Sequence, residues 1–151
     1  MDARVSLSFG CARKGAPAAV SFRRWVEAAL RVAGHAAGEV SIRVTHEDEA
    51  RALNRDYRGK DYATNVLSFP ADLPPGIESD LLGDLAFCAP VVAREAAEQG
   101  KTVHAHYAHL TVHGVLHLLG WDHQEAAAAD AMEALEVVAL ASLGVTDPYA
   151  Q

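Results

Sequence analysis

The apolar positions of this chain alternate between two spacings, and each change of spacing marks an element. Val5, Leu7 and Phe9 alternate with polar neighbours, which predicts a half-buried strand over residues 4–9. After Phe22 the interval lengthens. Trp25, Val26, Ala29, Leu30 and Ala33 follow at helical spacing, with Pro17 placed to begin the helix and Gly34 to close it. Val40, Ile42 and Val44 return to alternation and predict a second strand. Thr45 and Asp48 then stand at capping-box spacing, and an acidic first turn opens a helix running to about Tyr57.

Residues 64–69 predict a third strand, stopped by Pro70. The polar stretch ADLPPGIESD separates it from a fourth strand near residues 81–88. Pro90 opens a short helix that ends at Gly100, and residues 102–119 are apolar nearly all round, as in a helix inside a core. Gly120 interrupts that helix. A last amphipathic helix at 125–143 turns Met132, Leu135 and Ala139 inward and stops at Gly144. Two βα units, two consecutive strands and then helices predict one α+β domain over residues 1–151, with four strands in one sheet and about five helices.

Composition narrows the class. Half of the 151 residues are hydrophobic and 22% are charged, which fits a globular chain and excludes a disordered or fibrous one. No apolar run reaches the roughly 18 residues of a membrane-spanning helix, and the N-terminus lacks a signal peptide's apolar core. The expected location is the cytoplasm, with no membrane partner. Cys11 and Cys88 lie far apart and outside any CxxC, as reduced thiols would. The net charge of −7 at first argues against a polyanionic partner. Yet residues 1–60 carry 11 of the 13 basic and 7 of the 20 acidic side chains, so the excess of positive charge is local. The split fits either a basic face that meets a polyanion or two ordinary solvated surfaces.

The chemistry concentrates in HGVLHLLGWDH, residues 113–123. Its histidines and Gly120 have the spacing of the metzincin motif H-E-x-x-H-x-x-G-x-x-H, but Gly114 stands where that motif has its glutamate. Residues four apart on a helix lie about 6 Å apart along the axis on one face, so His113 and His117 can address one ion. His123 would lie about 9 Å up the axis on a continuous helix, so the chain must turn back, and Gly120 supplies the turn. Three neutral imidazoles with one open position describe a catalytic zinc site; nickel and iron also suit such ligands.

His106 and His109 share the stripe of His113. His109, one turn below, is placed either to bond a substrate or second-layer group or to be a satisfied interior residue. Asp122 reads equally as support for His123 and as part of the next helix's N-cap.

Without the glutamate, peptide hydrolysis loses its proton carrier, while Lewis-acid chemistry on a phosphodiester survives if a cation is at hand. Arg51, Arg55 and Arg58 form a stripe at i, i+4 and i+7, continued by Lys60. It is a solvated helix face or a phosphate site.

The stretches YRGKDYATNVLSFP (57–70), LLGDLAF (81–87), HLTVHGVLHLLGWDH (109–123) and LGVTDPY (143–149) together resemble the bacterial YbeY family. Those proteins are known as metal-dependent, single-strand-specific endoribonucleases and ribosomal RNA maturation factors. The resemblance spans nearly the whole chain. It implies a zincin-like α+β fold with a four-stranded sheet, one zinc ion on His113, His117 and His123, and Arg58 as the essential arginine. It also implies single-stranded RNA as substrate, a role in 16S rRNA maturation and ribosome quality control, and contact with the small ribosomal subunit and its proteins. Ala63 and Trp121 depart from the family's usual proline and tyrosine, and Asp84 is either a site residue or a turn-stabilising strand-end aspartate. Two other expectations stand beside this one: a zinc hydrolase acting on peptides or small molecules, and a non-catalytic ribosome-assembly adaptor with a structural metal.

Overall fold

In the computed structural model, which describes residues 2–121 and 124–150, the alternating segments become the strands of a single sheet. The strands are β1 (Asp2–Gly10), β2 (Ala37–Thr45), β3 (Val66–Pro70) and β4 (Leu81–Cys88), in the order β1-β2-β4-β3. β1 and β2 are parallel, with Val5 beside Val40 and Phe9 beside Val44. β2 and β4 are also parallel, whereas β3 runs antiparallel to β4 and forms an edge. Five helices complete the described residues: α1 (Ala19–Val32), α2 (Glu47–Arg58), α3 (Ala89–Glu98), α4 (Val103–Leu118) and α5 (Ala126–Ser142). The α+β class and the four-stranded sheet with five helices are thus as the sequence predicts.

The apolar helix is central, as its all-round hydrophobicity requires: α4 packs against α1, α3, α5, β3 and β4. Phe22, Leu30, Ile42, Leu85, Phe87, Tyr107, Leu116, Met132 and Leu140 are all sealed from solvent in the core. The Phe22 ring meets Trp25 edge-on at 5.4 Å and Tyr107 at 6.1 Å. Each large side chain buried this way contributes roughly 1.5–3 kcal/mol. The first turn of α4 is fastened by Thr102, whose hydroxyl accepts from the Ala105 amide at 3.0 Å.

Two local expectations need correction. Thr45 does not cap α2: it ends β2, is buried, and its hydroxyl donates to the Phe87 carbonyl. The cap position is His46, with no side-chain cap bond. Sheet pairing claimed the threonine before the helix could. Pro17 lies two residues ahead of α1, which begins at Ala19 behind Ala18. No helix among the described residues is long and apolar enough to cross a membrane.

Candidate active site

The basic stripe on α2 is divided by its partners. Arg51 forms a two-pronged pair with Asp61 at 2.8 and 2.9 Å, and Arg55 pairs with its neighbour Asp56 at 3.1 Å. Arg58, the last residue of α2, makes no ion pair among the described residues. Gly59, at φ 71, ends the helix in the left-handed region and turns the chain away just after it. Arg58 lines a cleft of about 520 Å³. His113 and His117 line the same cleft, with Thr64, Asn65, Val66 and Ser68 from β3 and the residues before it.

His113 and His117 lie one turn apart on α4, with ring centroids 4.7 Å apart. His113 Nδ1 is 2.6 Å from Glu136 Oε1. Glu136 projects from α5 and is completely buried. Its second oxygen accepts the Tyr149 hydroxyl at 2.6 Å. Burial by itself pushes the Glu136 carboxyl up, but His109, His113 and Tyr149 converge on it and hold it down at about 2. The carboxylate is therefore an acceptor, and His113 Nδ1 is the donor. In a neutral ring that leaves the lone pair on Nε2. Burial, reinforced by Glu136, pushes the Tyr149 phenol above its ordinary value, so its hydroxyl stays protonated.

This donor set fits a divalent ion. A ligating histidine commonly gives its other N–H to a carboxylate, which fixes the ring and its tautomer. Among the described residues no group of three His, Cys, Asp or Glu is placed to hold an ion. The expected third ligand, His123, lies outside the described residues, as does Asp122. Gln124, the next described residue, lines the same cleft, and Gly120 has φ 98, as a chain turning out of α4 requires. His113 and His117 would be the two described ligands.

Gly114 has a packing explanation. A Cβ there would lie 2.7 Å from Leu85 Cδ2 and 3.2 Å from Cδ1, with Ser68 Oγ at 3.4 Å. The position points at the sheet, and a side chain there would have to displace the Leu85 methyls of β4. The absent glutamate is thus tied to the close seating of the helix that carries both histidines.

The remaining candidates separate. His109 lines the cleft, with Nε2 3.2 Å from the Tyr149 hydroxyl and 3.7 Å from Glu136 Oε1. Since Tyr149 donates to Glu136, its oxygen is the acceptor for His109. His106 is buried, and its Nε2 bonds Glu95 Oε1 at 2.9 Å. The same carboxylate oxygen accepts from Asn65 Nδ2 at 3.0 Å, tying α3 and α4 to the lip of the cleft. His104 is exposed and meets the Trp25 ring edge-on. Asp84 is exposed in mid-β4 and lines a groove with Ser6, Ser41 and Arg43. It therefore sits neither in the histidine cleft nor buried at a strand end.

Sequence reading missed Glu136 and Tyr149. A signal for the first was present: Glu136 falls on the buried stripe of α5, between Met132 and Ala139. A carboxylate on such a stripe must find donors or change its charge.

The sequence profile described as "Endoribonuclease YbeY" matches residues 14–144. A protein of Stenotrophomonas maltophilia (strain R551-3) named Endoribonuclease YbeY is 63% identical over 150 residues, covering 97% of this chain and 92% of that one. One of the same name from Xanthomonas campestris pv. campestris (strain B100) is 61% identical with the same coverage. The solution structure of TM1509 from Thermotoga maritima superposes with a TM-score of 0.59 at 22% identity, covering 97% of this chain and 96% of that one. That last likeness concerns the fold alone.

Proposed function

The chain belongs to the YbeY endoribonuclease family, and on that premise we propose that it is a metal-dependent endoribonuclease that cuts single-stranded RNA. Its setting, in this reading, is 16S rRNA maturation and ribosome quality control in the cytoplasm, in contact with the small ribosomal subunit. The observation that carries the reading is the presence of Arg58, outside any ion pair among the described residues, in the same cleft as His113 and His117.

His113, His117 and His123 would hold one zinc ion, which supplies Lewis acidity toward a phosphoryl oxygen and activates water at neutral pH. The chain's own part is positioning. Arg58 offers a planar fork matched to two phosphate oxygens, so it orients the backbone and stabilises charge as it grows on the phosphorane-like transition state. Glu136 holds the His113 ring in the orientation its hydrogen bond defines. Gly114 contributes no side chain and so no proton carrier, which favours phosphodiester over peptide chemistry.

The test compares zinc-loaded protein on a single-stranded RNA, on the same RNA annealed to its complement, and on a peptide panel. Cleavage of the single strand alone is expected. Peptide cleavage with intact RNA would overturn the assignment in favour of a zinc peptidase.

A further inference from the structure

Glu136 is completely buried behind the cleft residues His113 and Tyr149, and both of its oxygens are used. Oε1 takes His113 Nδ1 at 2.6 Å, and Oε2 takes the Tyr149 hydroxyl at 2.6 Å. The two donors come from distant parts of the chain: His113 from α4, and Tyr149 from the segment after α5. Tyr149 itself is anchored by its own amide, which donates to Asp147 Oδ1 at 2.8 Å. His109 adds a third contact, its Nε2 resting 3.2 Å from the same tyrosine oxygen and its ring 5.5 Å from the tyrosine ring. A carboxylate kept from water on α5 is stable only while both partners stay in place.

We infer that Glu136 is a positioning residue that holds His113 in its Nδ1–H tautomer, and that Tyr149 docks the C-terminal segment on the same carboxylate, so that tail docking and metal affinity are coupled. The inference rests on the reading of His113 as a metal ligand. Its physical basis is the shared acceptor. Removing the tyrosine hydroxyl leaves Oε2 without that donor, which loosens the carboxylate that aims the imidazole. Changing Glu136 removes the aim directly. Outer carboxylates of this kind are worth about 10–100-fold in metal affinity when replaced.

The test uses full-length wild type, Glu136→Gln, Glu136→Leu and Tyr149→Phe, with two readouts. Long-range proton–nitrogen NMR on metal-free, nitrogen-15-labelled protein reports the His113 tautomer. Competition against a chromophoric chelator gives the zinc Kd. The wild type is expected to show the Nδ1–H tautomer. Glu136→Gln, close to isosteric, is expected to bind zinc about 10–100-fold more weakly. Tyr149→Phe should shift in the same direction by less, and Glu136→Leu should lose the tautomer preference. Should Glu136→Leu fail to fold, Glu136→Gln and Tyr149→Phe still decide the matter. Folded Glu136→Gln with a zinc Kd within twofold of wild type, or a wild-type His113 in the Nε2–H tautomer, would overturn the inference. Wild type that binds no zinc would overturn the metal reading beneath it. Zinc binding equal in wild type, Glu136→Gln and Tyr149→Phe would overturn the inference while leaving the metal reading in place.

Discussion

Replacing Gly114 with alanine tests how closely α4 is seated on the sheet. In an open helix the change is favourable by about 1 kcal/mol, because alanine is the better helix former. Here the new Cβ would meet Leu85 Cδ2 at 2.7 Å and Cδ1 at 3.2 Å. Leu85 is fully buried, so making room for the new methyl means repacking inside the core. Overpacking of this size costs about 1–3 kcal/mol. The net expectation is a loss of up to about 2 kcal/mol, or a fall in Tm of up to roughly 8 °C. Urea unfolding of the metal-free protein, followed by circular dichroism, measures it.

A double-mutant cycle isolates the cause. Leu85→Ala alone should cost about 2–5 kcal/mol, but in that background Gly114→Ala should become neutral or stabilising, a coupling of about 1–3 kcal/mol. A Gly114→Ala protein more stable than wild type by the full helix-propensity gain would refute the close seating. So would strict additivity in the cycle. Gly114→Glu goes further, forcing a charge into the same space, so restoring the metzincin motif should unfold the protein rather than create a peptidase.

Arg58→Ala should leave zinc content unchanged and stability within about 0.5 kcal/mol, as for an exposed residue outside any ion pair among the described residues, while cleavage of single-stranded RNA falls about 100- to 1000-fold; the check is parallel metal analysis, thermal unfolding and gel assay. Thr102→Ala should cost about 1 kcal/mol in urea unfolding by removing the cap of α4. The hydrogen bond from Arg43 holds the Glu49 carboxyl below its ordinary value. That pair therefore stabilises the fold above the ordinary carboxylate range and loses its effect as pH falls through the lowered value. Because both side chains are more than a third exposed, Glu49→Gln should cost under about 1 kcal/mol at neutral pH. The difference from wild type should vanish in acid, as pH-dependent urea unfolding will show.

Periodicity is legible wherever one face of an element is buried and the other is not. β1, β2 and α1 were readable for that reason, and α4 because it is apolar all round. Thr45 was misread because a capping box and a strand end present the same residue, and only the pairing of β2 with β4 decides between them. Within the site, spacing alone brings His113 and His117 together, since helix geometry is local. The Arg58 position needed the α2 terminus and the partners of Arg51 and Arg55, which are Asp61, folded back onto the helix, and the adjacent Asp56. Glu136 was hidden by sequence distance: 23 residues separate it from the histidine it holds. Its place on the buried stripe of α5 was the available clue, and its donors became visible only with the helices packed. Tyr149 required the tail to return to α4, which no local pattern encodes.

The central claim is that one metal-bearing cleft, completed by Arg58, cuts RNA. Its most direct test is cleavage of a labelled single-stranded RNA by purified wild type, His117→Ala and Arg58→Ala, each stripped with a chelator and then given zinc. The account predicts that wild type loses activity on stripping and regains it with one equivalent of zinc, while neither variant is rescued and Arg58→Ala still takes up the metal. Cleavage that survives the chelator and is equal in all three proteins would contradict it.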